Sequence, residues 1–331
     1  MRAIRIRKPG PIESWPLALE EVPEPHAGPA QVRLRVLACG VCHTDLHLAE
    51  GEITPPRLPV TPGHQVVGVV DEVGAEVDLF TSGERVGLPW LHSACGECTF
   101  CRRGEENLCP QARFTGFDVD GGFAEYVLAE ASFLHRLPEG LDDASAAPLL
   151  CAGIIGYRSL RRAQLEPGEV LGLIGFGASA HLALQVARHW RCPVYVFTRS
   201  ASHRQQAAAL GAAWVGGLED DAPGPVDRAV VFAPNGDLVP RSLDLVRPGG
   251  TLAVNAIHMT PIPTFEYRHI YGERTLRSVT NATRRDGREF LRLAGEMDLR
   301  PTVHTYPLTG ADRALDDLKH SRFDGAAVLV P

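Results

Sequence analysis

The sequence predicts an α/β protein in which a β-rich region with long loops is joined to a region with a doubly wound parallel sheet. Residues 1–152 are rich in Pro and Gly and contain short β-prone runs. Residues 153–280 alternate short apolar runs with helical patterns, which is typical of βαβ units. Residues 281–331 lose that alternation, so we expect three segments with boundaries near 152 and 280.

In the first segment, strict alternation of polar and apolar residues predicts a strand over Gln31–Leu37. Two further β-prone runs, Gln65–Val77 and Phe123–Leu128, are also expected to be strands. Long stretches without periodicity separate these runs. We therefore expect an irregular β-rich domain that has a cluster of cysteines in one of its loops.

The middle segment alternates between predicted strands and predicted helices. Strands are expected over Val170–Ile174, Val194–Thr198, Val226–Phe232 and Thr251–Ala256, and helices over Ala178–Trp190 and Ser202–Leu210. Gly211 is placed to end the second helix, and Pro248-Gly249-Gly250 is predicted as a turn. In the final segment we expect an amphipathic helix over Glu289–Met297, a short helix over Ala311–His320 and a strand over Ala326–Val330.

The composition excludes several classes of function. The net charge is −7, the pI is near 6.0 and there is no basic run, so nucleic acid is not an expected partner. No apolar run has the length of a signal-peptide core or a membrane span, so we expect a cytoplasmic protein. In that reducing compartment, eight cysteines favour metal or redox chemistry over disulfides.

Four of the cysteines lie close together as C-x2-C-x2-C-x7-C, at Cys95, Cys98, Cys101 and Cys109. Thiolates at this spacing can converge on one tetrahedral zinc ion without any other ligand. The alternatives are disulfides or free thiols, which the tight spacing and the expected compartment disfavour. We predict a closed structural zinc site that staples its loop.

Three more potential ligands, Cys42, His64 and Cys151, lie outside this cluster. Two cysteines and a histidine with a fourth position left open are a typical donor set for a catalytic zinc. Each residue alone is ambiguous, because a lone buried cysteine is more often part of a core and a lone histidine more often a hydrogen-bonding residue. Spacing alone does not join the three.

The segment Gly175-Phe176-Gly177-Ala178-Ser179-Ala180 follows a predicted strand and opens a predicted helix. It fits the pattern G-x-G-x-x-A of dinucleotide-binding turns. Gly175 permits the tight turn, and Gly177 lets the backbone approach a pyrophosphate. Ala180 keeps the helix close to the strand, and the helix N-terminus at Ala178 favours the anion. The alternative is a glycine turn without a ligand, which the strand–turn–helix context disfavours.

The second strand of this region is followed by basic and hydroxyl side chains. NAD sites normally place Asp or Glu there, where it accepts a hydrogen bond from the ribose 2′-OH. No carboxylate occurs between Glu169 and Glu219, and the strand ends in Thr198-Arg199-Ser200 with Arg204 beyond. Guanidinium and hydroxyl groups suit a 2′-phosphate, so NADP(H) is favoured over NAD(H). The alternative is that both arginines are solvated surface residues.

Five segments together resemble one enzyme family. They are CGVCHTDLH from Cys39, PGHQVVGVV from Pro62, the four-cysteine cluster, CAGIIGY from Cys151 and GFGASA from Gly175. In this order they resemble the zinc-dependent alcohol dehydrogenases of the medium-chain dehydrogenase/reductase superfamily, along essentially the whole chain. The resemblance implies a GroES-like catalytic domain, 1–152 and 281–331, interrupted by a Rossmann domain, 153–280.

The resemblance also implies the metal sites and the reaction. Cys42, His64 and Cys151 would hold a catalytic zinc, and the clustered cysteines would hold a second, structural zinc. In the family, zinc lowers the pKa of the bound alcohol, and hydride passes between the alcohol carbon and the nicotinamide. We expect a primary or aromatic alcohol or aldehyde as substrate, NADP(H) as the favoured cofactor, aldehyde reduction as the favoured direction, and a homo-oligomer, either a dimer or a tetramer.

Four further residues receive roles from the same resemblance. Thr44 would hydrogen-bond the substrate oxygen, and His47 would pass its proton to solvent. His43 would lie near the cofactor pyrophosphate, and Trp90 would line the substrate pocket. For Thr44, His47 and Trp90 the alternatives are a helix cap, a surface histidine and ordinary core packing.

Two positions depart strongly from the family pattern, and Ala180 for a third Gly and Ile155 for the commoner Thr are milder departures. Gln65 stands where the family usually has a Glu behind the zinc, which removes a charge but keeps the hydrogen-bonding capacity. Ala326 stands where many members have an Arg that contacts the pyrophosphate and pairs with the Asp at Asp45. Arg322 is a candidate substitute for that arginine.

Three other functions compete with the alcohol dehydrogenase prediction. A polyol dehydrogenase of the same superfamily commonly uses a carboxylate as its third zinc ligand, and Cys151 argues against it. A zinc-free quinone or enoyl reductase would lack the ligands that are all present here. A non-catalytic, zinc-stapled NADP(H)-binding protein would be marked by loss of Cys42, His64 or Thr44, and all three are retained.

Overall fold

The structure, a computed structural model, describes every residue from Met1 to Pro331 and divides into two compact units. The first unit consists of Met1–Cys151 together with Asn281–Pro331, and the second of Ala152–Thr280. The last part of the chain therefore folds with the first part. None of the helices combines the length and the apolarity that crossing a membrane requires.

Nine strands and three α-helices precede the boundary at Cys151. The strands are β1 (Arg2–Ile6), β2 (Leu17–Glu21), β3 (Gln31–Val41), β4 (Val66–Val73), β5 (Arg85–Leu88), β6 (Leu91–Ser93), β7 (Arg113–Phe114), β8 (Tyr126–Glu130) and β9 (His135–Arg136). The helices are α1 (His43–Glu50), α2 (Thr99–Arg102) and α3 (Asp143–Ala146). The three predicted strands of this segment are confirmed as β3, β4 and β8, with shifted ends.

The second unit contains four helices and six strands. In chain order they are α4 (Ala152–Arg162), β10 (Leu171–Ile174), α5 (Ala178–His189), β11 (Val194–Phe197), α6 (Ala201–Ala209), β12 (Trp214–Gly216), β13 (Val226–Val231), α7 (Leu238–Leu245), β14 (Val246–Val254) and β15 (Thr275–Ser278). The strands form one parallel sheet in the order β12-β11-β10-β13-β14-β15. The predicted doubly wound parallel sheet is thereby confirmed.

The order of these strands determines where a ligand can bind. The chain moves outward from β10 to β12 and then returns to the other side of β10 with β13. The carboxyl end of β10 is therefore the switch point of the sheet, which is where open α/β sheets bind their ligands. Leu171 and Leu173 of β10 are fully buried, as expected for the centre of a parallel sheet covered on both faces.

The predicted turn at Pro248-Gly249-Gly250 lies within β14, where the pairing with β13 is interrupted. Val246 is paired with Val226, whereas Thr251 is paired with Arg228. The residues of β14 between these two pairs are therefore not in register with β13, and Gly249 has φ +73°.

The return segment adds α8 (Arg284–Glu296), β16 (Val303–Pro307), α9 (Ala311–Lys319) and β17 (Ala326–Val330) to the first unit. Strand β17 pairs antiparallel with β3, with Ala327 opposite Val41. The main sheet has the order β16-β17-β3-β4-β5-β9, and β8 also pairs with β3. Leu308, Leu315 and Leu329 join the buried core of this unit, which explains why the return segment folds here.

Strand β3 positions the start of the candidate site. Val32, Leu34 and Val36 are buried on one face, as the alternating pattern predicts. The strand continues past the predicted end at Leu37, because the residues as far as Val41 are all buried and remain paired with β4 and β17. Cys42 follows directly, at the start of α1.

Candidate metal and cofactor sites

The four clustered cysteines converge in the loop between β6 and β7. Their sulfur atoms all lie within 4.8 Å of one another. The Sγ–Sγ distances are 3.5 Å for Cys95–Cys109, 3.6 Å for Cys98–Cys101 and 3.9 Å for Cys95–Cys101. A disulfide needs about 2.05 Å, whereas sulfurs bound to one tetrahedral zinc at about 2.3 Å are about 3.8 Å apart. The cluster therefore has the dimensions of a four-thiolate zinc site.

Local backbone donors support this cluster of sulfurs. The N–H of Cys98 donates to Cys95 Sγ at 3.4 Å, and the N–H of Gln111 donates to Cys109 Sγ at 3.3 Å. Hydrogen bonds from the N–H groups of Glu97 and Cys98 lower the pKa of Cys95 to about 7. Donors of this kind favour the thiolate, which is the form that binds a metal.

Cys42, His64 and Cys151 come from three distant segments, and the fold brings their ligand atoms within 4.8 Å of one another. Cys42 precedes α1, His64 precedes β4, and Cys151 lies at the end of the first segment. The side chain of His64 is only 1% exposed, and neither of its ring nitrogens, Nδ1 or Nε2, has a hydrogen-bond partner. A buried ring nitrogen without a partner, facing two thiols, fits a zinc ion as the missing partner.

Gly63 determines how His64 enters the site. Its φ is +96°, and a Cβ at this position would lie 2.4 Å from Phe123 Cδ1 and 2.9 Å from Cys39 Sγ. Its N–H donates to Asp45 Oδ1 at 2.9 Å. Only glycine meets these requirements, so Gly63 is needed for the backbone turn that places His64 in the site.

Asp45 is the carboxylate behind His64. It is 2% exposed and accepts hydrogen bonds from the backbone N–H groups of Cys42 and Gly63, each at 2.9 Å. Its Oδ1 lies 3.4 Å from His64 Nδ1. Burial opposes protonation of His64, but the Asp45 carboxylate and Cys42 outweigh it and raise the pKa of His64 to about 10. A metal ion bound by His64 would displace this proton, and Asp45 lies where it can hold the ring in place.

Thr44 and His47 lie three residues apart on α1, on the same side of the helix. Thr44 is buried, and its Oγ1 lies 3.7 Å from Cys42 Sγ. His47 Nδ1 forms a hydrogen bond with the carboxylate of Glu52, a residue that sequence reasoning missed. His43 is exposed at the start of the helix, with its ring centroid 6.3 Å from that of His47.

Trp90 lies beside the open site and belongs to a group of aromatic side chains. Its ring packs edge-on against His64, with the centroids 4.7 Å apart and the planes at 71°. Phe114 stacks on Trp90 at 5.1 Å with nearly parallel planes, and Phe117 lies 6.1 Å away. Sequence reasoning did not identify the two phenylalanines. Phe114 approaches Trp90 only because β6 pairs with β7, which places Phe114 opposite Leu91.

The two residues that depart strongly from the family pattern are both buried, one next to His64 in sequence and one in β17. Gln65 is buried, and its Cδ would lie 2.9 Å from a Cβ on Gly40. Ala326 is buried at the start of β17. Arg322, the candidate substitute for the missing arginine, instead pairs with Asp316 at 2.5 Å and with Asp317 at 2.9 Å.

In the second unit, the glycine-rich loop lies at the carboxyl end of β10, between that strand and α5. Gly175 has φ +88°, and a Cβ there would lie 2.9 Å from the backbone N of Ala233. A Cβ on Gly177 would meet nothing within 4 Å, so there is open space at the helix N-terminus, next to Ala178. Ala180 is fully buried. The loop therefore offers free N–H groups and room for a pyrophosphate at the switch point of the sheet.

The hydroxyl residues after β11 are used by the fold itself. Thr198 is buried, and its N–H donates to Gly216 O at 2.8 Å. Ser200 is the N-cap of α6, and its Oγ accepts a hydrogen bond from the N–H of His203 at 3.3 Å. Both residues shape the turn that presents Arg199.

The two arginines of this turn differ in how strongly they are held. Arg204 donates from Nε to Thr198 O at 2.8 Å, and its Nη1 lies 3.8 Å from Asp220 Oδ2. Arg199 is exposed. The structure thus distinguishes a tethered guanidinium from an accessible one, a difference that the sequence does not show.

Comparison with protein families gives two matches that together cover most of the chain. Residues 28–139 match the family described as "Alcohol dehydrogenase GroES-like domain". Residues 180–296 match the family described as "Zinc-binding dehydrogenase". The first match covers the cysteine cluster, Cys42 and His64, and the second begins at Ala180 in the first turn of α5.

Individual proteins are similar over the whole chain. A probable alcohol dehydrogenase, AdhA, from Mycobacterium tuberculosis is 49% identical over 336 residues, covering 100% of this chain and 97% of its own length. An alcohol dehydrogenase from Geobacillus stearothermophilus is 35% identical, covering 95% of both chains. The solved structure of the cinnamyl alcohol dehydrogenase SbCAD4 from Sorghum bicolor superposes with a TM-score of 0.91 at 29% identity, covering 99% of this chain and 97% of that one. The chain therefore belongs to the zinc-type medium-chain dehydrogenase/reductases and is an alcohol dehydrogenase, a family that works with zinc and a nicotinamide cofactor.

Proposed function

We propose that this protein is an NADPH-dependent reductase of primary or aromatic aldehydes, and that it catalyses the reverse alcohol oxidation at the same site. The observation that carries the proposal is the cluster of Cys42, His64 and Cys151, in which His64 Nε2 lacks a protein partner. Thr44 supplies a hydroxyl next to this cluster, 3.7 Å from Cys42 Sγ. Donor set and hydroxyl together suit polarisation of a substrate oxygen and transfer of its proton.

We assign two zinc ions to each chain, one to each cysteine site. Four thiolates leave no open position on a tetrahedral ion, so the clustered cysteines are assigned a structural ion. Three ligands leave one position, so the open site is assigned the catalytic ion. When bound there, zinc supplies Lewis acidity for the substrate oxygen, and the nicotinamide supplies or accepts the hydride.

The side chains of α1 handle the proton. In aldehyde reduction, the Thr44 hydroxyl donates a hydrogen bond to the substrate oxygen, and the proton that this oxygen gains is supplied through His47. In alcohol oxidation the proton leaves along the same route. His43 is exposed at the N-terminus of α1, where an N–H of its ring can donate a hydrogen bond to an anionic group of the cofactor.

The preference for NADP(H) is assigned chiefly to Arg199. It is exposed next to the turn after β11, whereas Arg204 is held by Thr198 O and faces Asp220. A planar guanidinium suits a phosphate with two parallel hydrogen bonds. Arg204 then serves mainly to fix the turn that presents Arg199, together with Ser200 at the helix cap.

The aromatic side chains beside His64 suggest the class of substrate. Trp90 is half-buried and is backed by Phe114 and Phe117. Such a wall favours an aromatic or allylic alcohol or aldehyde, because ring–ring contacts add to simple burial. The relative from Sorghum, whose printed name specifies cinnamyl alcohol, is consistent with this substrate class.

A homo-oligomer is proposed from the surface of the second unit. Strand β15 is at the edge of the parallel sheet, and Ile257, Tyr267, Tyr271 and Leu276 are exposed large apolar side chains in the same part of the chain. An exposed apolar surface next to an open sheet edge is typical of a subunit interface. A cytoplasmic location stays a prediction.

Zinc analysis and paired kinetics test the proposed function. We expect about two zinc ions per chain and turnover of an aromatic aldehyde such as cinnamaldehyde with a much higher kcat/KM for NADPH than for NADH. Comparable or better turnover with NADH would contradict the cofactor assignment only. Absence of turnover of aromatic and aliphatic aldehydes by protein with two zinc ions would contradict the proposed reaction.

A further inference from the structure

The hydrogen bond between His47 and Glu52 is a feature of the open site that the proposed roles do not use. Helix α1 ends at Glu50, and Gly51 takes the left-handed conformation with φ +82°. The chain then turns back, and the N–H of Glu52 donates to the carbonyl oxygen of His47 at 2.9 Å. This backbone contact places the Glu52 carboxylate against the His47 ring, where Oε2 meets Nδ1.

The ring and the carboxylate differ in their exposure to solvent. The side chain of His47 is 14% exposed, whereas that of Glu52 is 42% exposed. A carboxylate in contact with water thus holds a mostly buried imidazole.

The partner atom determines which nitrogen of His47 carries the proton. An ionised carboxylate only accepts hydrogen bonds, so Nδ1 has to be the donor. A neutral His47 with its proton on Nδ1 has Nε2 as its basic nitrogen. When Nε2 takes up a proton, the imidazolium that results is stabilised by the negative charge on Glu52.

From this geometry we propose that Glu52 is a positioning residue for proton transfer, which rests on the proposed role of His47. In alcohol oxidation, the O–H bond of the substrate breaks, its proton passes by way of Thr44 to His47 Nε2, and a new N–H bond forms there. Release of the Nε2 proton to water then restores the neutral ring, with its remaining proton on Nδ1 held by Glu52. In aldehyde reduction each proton moves in the opposite direction, so no further reactant is needed.

The contrasting interpretation is an ordinary surface ion pair, which contributes little to stability or activity. The two interpretations differ in what the side chain of Glu52 does, since the backbone bond from residue 52 to His47 O survives any substitution that keeps the turn. Glu52→Met removes both the charge and the acceptor. Glu52→Gln keeps an acceptor oxygen for Nδ1 but removes the charge. Glu139→Gln, at an exposed glutamate of another loop, is the matched control.

The first readout is independent of turnover. Long-range ¹H–¹⁵N spectra of the histidine rings distinguish the Nδ1–H from the Nε2–H tautomer, and the His47 signals are assigned by their loss in His47→Asn. We expect zinc-loaded wild-type protein to show Nδ1–H at His47, Glu52→Gln to keep it and Glu52→Met to lose it. An Nε2–H tautomer in the wild type, or an unchanged His47 spectrum in Glu52→Met, would overturn the proposal.

The second readout is steady-state turnover. We expect Glu52→Met to lower kcat about 10- to 100-fold, as is typical when the residue that orients a functional histidine is removed, with the KM for the aldehyde little changed. Glu52→Gln should lie between this variant and the wild type, and Glu139→Gln should match the wild type. A kcat for Glu52→Met equal to that of the control overturns the proposal. Full activity of His47→Asn would instead refute the proposed role of His47, on which this proposal depends.

Discussion

The two cysteine sites of the first unit collect similar donor atoms in opposite ways. The closed site takes all four sulfurs from the loop Cys95–Cys109, whereas the open site takes Cys42, His64 and Cys151 from segments that are far apart in sequence. Closing one short loop costs little conformational entropy, and binding a metal there is largely what folds the loop. The open site instead receives its geometry from β3, α1 and the Pro-Gly-His turn. One site should therefore govern stability and the other chemistry.

Removing one ligand from the open site is the strongest test of whether this site governs chemistry rather than stability. We expect Cys151→Ser to lower kcat/KM about 1,000-fold, because the Lewis acid contributes several kcal/mol to the reaction. The melting temperature should change little, since the sheet and α1 fold without that ligand. Zinc analysis should show one ion lost. Retention of most of the activity after loss of that ion would remove the open site from the chemistry.

The matching substitution in the closed site should have the reverse effect. Cys101→Ser should release the other zinc and lower the free energy of unfolding by about 4 kcal/mol or more, as is typical for loss of a structural metal. The loop should then be cleaved by proteases within 95–109 before the rest of the unit. Urea unfolding and limited proteolysis measure both effects, with Cys192→Ser as a buried cysteine outside either site. A stability equal to that of the Cys192 variant would contradict a structural role.

The same contrast explains what the sequence could predict. The four-cysteine cluster and the glycine-rich loop are local, so spacing and the strand–turn–helix pattern were enough to identify them. Only the family resemblance assigns Cys42, His64 and Cys151 to one site. Spacing does not, because these ligands are brought together by the tertiary fold, including the pairing of β3 with β4 and β17. Asp45 as the partner of Gly63 and His64 could not be predicted, since that contact depends on tertiary structure. Glu52 was within reach of local reasoning, because Gly51 marks the helix end that folds it back.

The C-terminal end of β3 and the two arginines after β11 show a further limit of sequence analysis. Alternation predicted β3 only as far as Leu37, since a strand buried on both faces has no alternation to read. Arg199 and Arg204 look equivalent in sequence, yet only the fold shows that Arg204 donates to Thr198 O. Arg322 is likewise a candidate in the sequence, but in the structure it pairs with two carboxylates of α9.

A substitution of Asp45 allows the zinc affinities of the two sites to be compared within one variant. Asp45→Asn keeps the size of the side chain but removes the charge that faces His64 Nδ1 at 3.4 Å. We expect zinc in the open site to be held 10- to 100-fold more weakly, about the usual cost of losing such a partner, and zinc in the closed site to be unaffected. Competition with a chelator resolves the two ions. Equal weakening at both sites would mean that the variant disturbs the whole unit.

The cofactor turn offers a local counterpart in the second unit. Arg199→Ala should raise the KM for NADPH about 10-fold or more, which corresponds to the 1.5–3 kcal/mol of a hydrogen bond to a charged group, and leave the KM for NADH unchanged. Arg204→Ala should have a smaller effect on that ratio and a larger effect on thermal stability, because its guanidinium holds the turn. Steady-state kinetics with both cofactors separates the two. Parallel changes for NADPH and NADH would remove Arg199 from recognition of the 2′-phosphate.

The smallest expected effect concerns the aromatic wall, which is also assembled by the fold. Phe114 stacks on Trp90, and Trp90 packs against His64. A substitution of Phe114 should therefore alter the position of Trp90 beside the open site. We expect Phe114→Leu to lower kcat/KM for an aromatic aldehyde about 2- to 10-fold relative to an aliphatic one, which matches the 0.5–1.5 kcal/mol of a ring–ring contact. Phe100→Leu, at an exposed position of the cysteine loop, is the matched control. An unchanged ratio would mean that this wall packs the unit without selecting substrates.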